Sequence, residues 1–221
     1  MTAQVTEQQR PVLDQIGEAG VLPVAVIGDA SRAGGVAAAL RAGGLPLIEV
    51  TLRTPAALDA IRALAGEGEG DLLVGAGTVT SPADAESAVA AGARFLVSPG
   101  LDLNVVRAGR DLGVTVVPGV ATATDLQGAA GEGIGVVKLF PAGPLGGPAM
   151  VSALAGPFPA TRFIPTGGVT ADTLESYLRL GAVFAVGGSW LTPAALQATG
   201  NYEAIAGLAR EARAVVDRVR S

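Results

Sequence analysis

Short apolar runs recur along the chain every 20 to 27 residues, and each is followed by a small-residue turn and an amphipathic stretch rich in Ala and Leu. The runs are rich in Val, Ile and Leu and are mostly continuous rather than interrupted by polar residues. Continuous apolar runs are typical of parallel strands that are covered on both faces. We therefore predict eight strands, at residues 22–27, 46–51, 72–76, 94–98, 114–118, 135–140, 162–165 and 183–187.

The stretches between these runs are predicted to be helices. Three of them open with a hydroxyl residue followed by proline, the pattern of an N-cap and a first helical residue. Strands that alternate with helices in a chain of 221 residues predict an α/β fold, a (β/α)8 barrel with a short helix before the first strand. A doubly wound open sheet is the alternative, although no GxGxxG follows the first strand. The three hydroxyl–proline pairs are Thr54-Pro55, Ser81-Pro82 and Thr192-Pro193.

The chain gives no indication of a division into domains. No linker, charge run or low-complexity segment interrupts it, and the GEGEG at 66–70 is interpreted as a short turn. The first ten residues are polar and lack the apolar centre of a signal peptide. No apolar run reaches the ~18 residues of a membrane span. We therefore expect one domain over residues 1–221, located in the cytoplasm and not bound to a membrane.

The composition limits which residue types can carry out catalysis. The chain has no Cys and no His, and Lys138 is the one lysine among 15 basic residues. These counts exclude a thiol nucleophile, a Ser–His pair and a zinc–thiolate site. The net charge is −5 and the basic residues do not cluster, which argues against nucleic acid as a partner. Carboxylates, hydroxyls, arginines and one lysine must therefore carry any acid–base or covalent chemistry.

Two charged residues share one face of the second predicted strand. Side chains alternate along a strand, so Glu49 and Arg53 lie on the same face as Leu47 and Thr51. The other face is apolar, so we expect both charges to point into the barrel near the C-terminal ends of the strands, where barrel active sites lie. Charges facing a barrel interior are costly unless they are paired or used. The alternative is therefore a structural Glu49–Arg53 ion pair.

Lys138 lies in the middle of the sixth predicted strand, between Val137 and Leu139. An apolar environment favours the neutral amine of a lysine, and a neutral amine can attack a carbonyl. A guanidinium stays protonated and cannot replace it. The alternative is a lysine that reaches to solvent or forms an ion pair.

Glycine-rich segments follow three of the predicted strands. The sequence is Thr-Gly-Gly at 166–168 and Gly-Gly-Ser at 187–189, after the seventh and eighth strands. Backbone N–H groups at paired glycines can approach an anion, and these two strand ends form the usual phosphate site of such barrels. The Gly-Ala-Gly-Thr at 75–78 adds small residues and a hydroxyl, although ordinary turn formation also explains it.

Six motifs follow one another along the chain: EVTLRT (49–54), GAGTV (75–79), SPG (98–100), VKLFPA (137–142), PTGGV (165–169) and GGSWL (187–191). In sequence, order and spacing they resemble the 2-keto-3-deoxy-6-phosphogluconate (KDPG) and 4-hydroxy-2-oxoglutarate (KHG) aldolases, and the resemblance extends from about residue 12 to the C-terminus. It implies a class I aldolase that needs no metal and no cofactor, on a (β/α)8 barrel that assembles as a homotrimer. The implied reaction, a step of the Entner–Doudoroff pathway, cleaves KDPG to pyruvate and glyceraldehyde 3-phosphate, with KHG as a further substrate.

The same resemblance implies roles for individual residues. Lys138 is similar to the Schiff-base lysine of the family, and Glu49 to its general acid/base. Arg53 and Thr78 resemble ligands of the pyruvyl carboxylate, and Pro99 and Phe140 resemble residues that shape its pocket. The residues that resemble binders of the substrate hydroxyls and distal phosphate are Thr166, Gly167, Gly168, Gly188 and Ser189.

Two alternative functions remain at this point. One is an aldolase for an epimeric keto acid, 2-keto-3-deoxy-6-phosphogalactonate. The hydroxyl of Thr166 argues against it, because a hydroxyl at this position can recognise the C4 configuration of KDPG. The other is a non-catalytic barrel that binds a phosphorylated sugar. One lysine in a chain that otherwise uses arginine argues against the second, because binding alone could use arginine.

Overall fold

The protein is described here by a computed structural model that covers residues 10–66 and 72–221. The polar N-terminus and the turn predicted at 66–70 lie, apart from Arg10 and Gly66, outside the described residues. The strands within them are β1 Val21–Ala25, β2 Leu47–Thr51, β3 Leu73–Gly77, β4 Phe95–Val97, β5 Thr115–Val117, β6 Gly119–Val120, β7 Val136–Leu139, β8 Arg162–Pro165 and β9 Val186–Gly188.

The helices of the described residues lie before the first strand, between the strands and after the last of them. They are α1 Arg10–Ala19, α2 Ala33–Ala42, α3 Ala57–Gly66, α4 Pro82–Ala90, α5 Leu103–Asp111, α6 Ala123–Gly131, α7 Pro148–Ala155, α8 Ala171–Leu178, α9 Ala194–Thr199 and α10 Tyr202–Arg220. Short 3₁₀ helices at Ala30–Arg32 and Ser189–Leu191 follow β1 and β9.

The strands close into a barrel. One parallel sheet has the order β5-β4-β3-β2-β1-β9, and a second has the order β6-β7-β8. β5 and β6 are two parts of one barrel strand, separated by Pro118, whose carbonyl accepts a hydrogen bond of 2.9 Å from Lys138 N. On the other side, parallel bridges from Phe163 to Val183 and from Thr166 to Gly187 join β8 to β9. The (β/α)8 barrel is therefore confirmed, and the open sheet is wrong.

The eighth predicted strand is shifted relative to the structure. β9 begins at Val186, three residues after the predicted start. Val183 forms only an isolated bridge to Phe163, whereas continuous pairing with β1 begins at Val21 and Val186. Strand limits depend on the neighbouring strand, which the apolar run alone does not show.

The short N-terminal helix, α1, is confirmed and is held by the last helix. Val12, Leu13 and Ile16 are buried on its inner face. Its last carbonyls have no partner inside the helix. The guanidinium of Arg213, on α10, donates to the carbonyls of Glu18 and Ala19 at 2.8 and 2.9 Å. The two ends of the described chain are thereby joined.

Of the three predicted hydroxyl caps, one is formed. Asp84 N donates to Ser81 Oγ at 3.1 Å, with Pro82 as the first residue of α4. The prediction is wrong for Thr54 and Thr192, whose hydroxyls donate to the carbonyls of Ile27 (2.5 Å) and Val24 (3.1 Å). Both threonines therefore bind the C-terminal end of β1 and its extension instead of capping a helix.

No helix within residues 10–66 and 72–221 has both the length and the apolar character needed to cross a bilayer.

Candidate active site

Glu49 and Lys138 meet inside the barrel, although 89 positions separate them in the chain. Glu49 is on β2 with 1% of its surface exposed, and Lys138 is on β7 with 6% exposed. Lys138 Nζ lies 3.4 Å from Glu49 Oε1 and donates a hydrogen bond to it. The structure therefore pairs the one lysine of the chain with a buried carboxylate.

The second carboxylate oxygen of Glu49 has no partner. Oε2 is buried and accepts no hydrogen bond from any described residue. A buried acceptor without a donor costs about 1–3 kcal/mol. Buried polar atoms without a partner are few in folded proteins and each calls for an explanation. This oxygen is free to take a proton or a hydrogen bond from a bound molecule.

The expected alternation along β2 stops before Arg53. β2 ends at Thr51, and Arg53 N donates to Thr51 O at 2.8 Å in the turn that follows. Arg53 is exposed at the mouth of the barrel, and the described residues contain no Glu49–Arg53 ion pair. The structural Glu49–Arg53 pair is therefore wrong: the charge that faces Glu49 is Lys138.

Glycine beneath Glu49 makes room for its carboxylate. A Cβ added at Gly77 would overlap Glu49 Oε1, and one added at Gly75 would overlap the ring of Phe95. Gly77 ends β3, and the next residue, Thr78, is half-buried with φ of +58°. A β-branched residue in this left-handed region stores on the order of 1–3 kcal/mol of strain, and such strain is concentrated at binding and active sites.

The ring of Phe140 borders the lysine. Lys138 Nζ lies 5.3 Å from the centroid of this ring, a cation–π distance. On its other side the ring contacts Gly167, where an added Cβ would lie 2.9 Å from it. Pro99 follows β4 at the same end of the barrel and is half-buried. Its backbone packs against Gly119, where a Cβ would overlap it.

The segment 166–168 turns sharply at the end of β8. Gly167 and Gly168 have φ of +86° and +79°, values that glycine adopts without strain. The turn is held from the loop after β7, since Ala142 N donates to Thr166 O and Gly143 N donates to Gly167 O, both at 2.8 Å. The Thr166 hydroxyl donates to Ile164 O at 3.2 Å.

The segment 187–189 lies beside the segment 166–168. Gly187 makes a bridge with Thr166, and a Cβ at Gly187 would overlap the Thr166 hydroxyl. Gly188 ends β9 beneath the ring of Trp190, and Ser189 is exposed at the start of the following 3₁₀ turn. The structure thus brings the two glycine segments together at one side of the barrel mouth.

Comparison with known proteins identifies the family. The sequence model of the KDPG and KHG aldolase family matches residues 12–208. The chain belongs to the KDPG and KHG aldolase family. Membership makes the protein an aldolase, which is a carbon–carbon lyase.

Similar members of the family cover most of the chain. The 2-dehydro-3-deoxy-phosphogluconate aldolase of Dickeya dadantii is 44% identical over 200 residues, which are 90% of this chain and 93% of that protein. The KHG/KDPG aldolase of Escherichia coli is 43% identical over 192 residues, 87% of this chain and 90% of that one. The KDPG aldolase of Legionella pneumophila, solved with pyruvate as a covalent carbinolamine, has a TM-score of 0.87 and 39% identity, over 93% of this chain and 97% of that chain.

Sequence reasoning missed two features of this aldolase. It did not foresee the Glu49–Lys138 pair, because nothing local to either strand indicates a contact across the lumen. It also interpreted residues 75–78 as a floor of small side chains without identifying Gly77 as the position on which the Glu49 carboxylate rests. The sequence signal that could have identified Gly77 is a Gly-x-Gly at the end of a strand that neighbours a buried carboxylate.

We expect Gly77→Ala to lower kcat for aldol cleavage about 100-fold while the fold is kept. The added Cβ occupies the position of Glu49 Oε1, and a displacement of about 1 Å in a reacting group can cost this much. The measurement is kcat alongside far-UV circular dichroism. Gly131→Ala is the matched control, since a Cβ there meets nothing within 4 Å. A parental kcat in Gly77→Ala would contradict the need for Glu49 at this position.

Proposed function

We propose that the protein is a class I aldolase that cleaves KDPG to pyruvate and glyceraldehyde 3-phosphate through a Schiff base on Lys138. It also cleaves 4-hydroxy-2-oxoglutarate to pyruvate and glyoxylate. One observation carries this proposal: the one lysine of the chain is buried in the barrel, 3.4 Å from a buried carboxylate. The names of the Dickeya dadantii and Escherichia coli relatives, and the carbinolamine in the Legionella pneumophila structure, support it.

The first stage of the reaction forms the covalent bond to the enzyme. The neutral amine of Lys138 attacks the C2 ketone of the substrate. Its nitrogen then loses one proton while the former ketone oxygen takes one up, which gives a carbinolamine. Loss of this hydroxyl as water gives the iminium. Glu49 Oε1, at 3.4 Å from Nζ, is placed to receive and return the protons of these steps.

The second stage breaks the C3–C4 bond. Glu49 takes the proton of the C4 hydroxyl, directly or through a water molecule, and the C4 oxygen becomes the carbonyl of the released aldehyde. The electron pair of the C3–C4 bond moves into the iminium and forms an enamine. Protonation at C3 and hydrolysis of the iminium then release pyruvate and regenerate the lysine.

Other residues orient the substrate. Arg53 and Thr78 bind the carboxylate next to the ketone, and an arginine can do so with two parallel hydrogen bonds. Arg53 is exposed at the mouth and free of ion pairs within the described residues, which leaves its guanidinium available. Pro99 and Phe140 form the walls around the pyruvyl group. The remaining hydroxyls and the phosphate are bound by Thr166, Gly167, Gly168, Gly188 and Ser189.

A second substrate, the C4 epimer 2-keto-3-deoxy-6-phosphogalactonate, is the alternative. The Thr166 hydroxyl supports KDPG, because a hydroxyl at this strand end can distinguish the two orientations of the C4 oxygen. As further parts of the proposal, the chain forms one domain in the cytoplasm, supported by a sequence without linkers or long apolar runs. It works as a homotrimer, supported by the family resemblance.

Borohydride reduction in the presence of pyruvate tests the proposed function. We expect inactivation together with the addition of one pyruvate-derived group per chain. Lys138 carries the one ε-amine of the sequence, so the group can attach to it or to an α-amine at the N-terminus, and peptide mapping separates the two. Reduction without pyruvate is the control and should leave activity intact. A label found only at the N-terminus would contradict the covalent mechanism.

A further inference from the structure

The turn after β2 is attached to both neighbouring strands, and Arg53 lies between the two attachments. On one side, Leu52 N donates at 2.8 Å to the carbonyl of Gly77, the last residue of β3. On the other side, the hydroxyl of Thr54 donates at 2.5 Å to the carbonyl of Ile27, two residues beyond the end of β1. The backbone of Arg53 is therefore fixed on one side by a backbone bond and on the other by a side chain.

The side chain of Arg53 has no anchor of its own. Arg53 is exposed, and within residues 10–66 and 72–221 its guanidinium forms neither an ion pair nor a hydrogen bond. A long side chain without partners loses much conformational freedom when it binds a ligand. The position of its backbone decides how well the guanidinium can reach a bound carboxylate, because any displacement of the turn displaces the guanidinium as well.

The hydroxyl of Thr54 is a strong attachment because its acceptor is buried. Ile27 is 0% exposed, and among the described residues Thr54 is the one that donates to its carbonyl. A buried carbonyl that loses its donor costs free energy, so the bond resists breaking. Thr51 makes a similar bond to Ala25 O at 3.2 Å, but it lies inside β2, where pairing with β3 already fixes the chain. Beyond the strand, Thr54 is the side chain that holds the turn.

We propose that Thr54 is a positioning residue, whose hydroxyl holds the turn so that the guanidinium of Arg53 meets the carboxylate next to the ketone. The inference rests on the proposed function and deepens it. Thr54 acts through Arg53, since its own hydroxyl is engaged by Ile27 O. The carboxylate is bound in the same way before and during the reaction, and the loss of such uniform binding raises KM with little change in kcat.

The test measures the pyruvate concentration at which labelling by borohydride reaches half its maximal rate. Valine has nearly the shape of threonine but lacks the hydroxyl. In Thr54→Val we expect this concentration, and KM for KDPG, to rise roughly 5- to 20-fold, the usual effect of losing one hydrogen bond at a binding site. The kcat should stay within about threefold of the parent. Thr54→Ser keeps the hydroxyl and should recover most of the affinity for pyruvate.

Thr192→Val is the matched control. The hydroxyl of Thr192 donates to Val24 O at 3.1 Å, so this substitution also removes a threonine bond to β1, but from the side of β9. Its half-saturating pyruvate concentration should stay within about twofold of the parent, because the turn after β2 keeps its attachments. A purely structural loss lowers Tm and the active fraction, and hence the apparent kcat, without changing half-saturation. An equal rise in both valine variants would overturn the role of Thr54.

A double-mutant cycle tests whether Thr54 acts through Arg53. In an Arg53→Ala background, Thr54→Val should raise the half-saturating concentration less than about twofold further, because the guanidinium that the turn positions is absent. Additive effects of the two substitutions, or an unchanged half-saturation in Thr54→Val, would overturn the inference. A parent that pyruvate and borohydride do not label would instead overturn the proposed function itself.

Discussion

Lys138→Arg lowers the rate of KDPG cleavage by about 10⁴-fold or more and abolishes labelling by pyruvate and borohydride; this is the largest effect that we expect of any single substitution. The replacement keeps a positive charge near Glu49. A guanidinium, however, does not lose its proton at working pH and cannot form the iminium. Without the iminium, the electrons of the C3–C4 bond have no acceptor. Cleavage assays and mass spectrometry of the reduced protein provide the measurement.

A matched control separates the position of the lysine from its mere presence. The double variant Lys138→Arg with Arg62→Lys again contains one lysine, now on an exposed helix face beside Asp59. It should remain unlabelled and inactive. The shorter side chain of Lys138→Met should give the same loss without the bulk of arginine, which separates chemistry from steric disturbance of the barrel. Cleavage near the parental rate in Lys138→Arg would show that the covalent mechanism is wrong.

Glu49→Gln should lower kcat by roughly 10² to 10⁴, the usual contribution of a positioned acid or base, while labelling by pyruvate and borohydride stays measurable. The amide has nearly the size of the carboxylate, so the space above Gly77 stays filled. It cannot take the proton of the C4 hydroxyl. Steady-state kcat and the rate of reductive labelling, measured on the same preparation, separate cleavage from Schiff-base formation.

Glu132→Gln is the control for the loss of an ion pair alone. Glu132 accepts from Arg107 and Arg110 on the protein surface, so its substitution removes salt bridges far from the barrel interior. Its activity should equal that of the parent. If kcat of Glu49→Gln also stays within a few-fold of the parent, Glu49 serves only as the charge partner of Lys138.

Local patterns predicted the features that depend on neighbouring residues. The eight apolar runs correspond to the barrel strands, because a strand that is buried on both faces has a continuously apolar sequence. Ser81 caps its helix as predicted, since cap and acceptor lie three residues apart. Thr54 and Thr192 show the same local pattern, but carbonyls of β1 and its extension lie within reach of their hydroxyls. A contact across 27 or 168 positions is invisible to a local rule.

The charged residues of the site also divide into what a local pattern predicts and what only long-range contacts decide. Alternation correctly places Glu49 in the interior, but it was extended to Arg53, beyond the point where the strand ends. The end of β2 is decided by its pairing with β3, whose last register pair is Thr51 with Gly77. The sequence likewise marked Lys138 as unusual without naming its partner.

The sequence by itself determined the barrel, the family and the two residues proposed for the chemistry, since apolar periodicity, motif order and the lone lysine are properties of the chain alone. The tertiary structure decided which groups meet, above all Glu49 with Lys138 across the lumen. The physical reason is the separation along the sequence over which each effect acts. Propensity and burial act between near neighbours, whereas side-chain pairing depends on strand register and barrel closure, which bring together residues that are far apart in sequence.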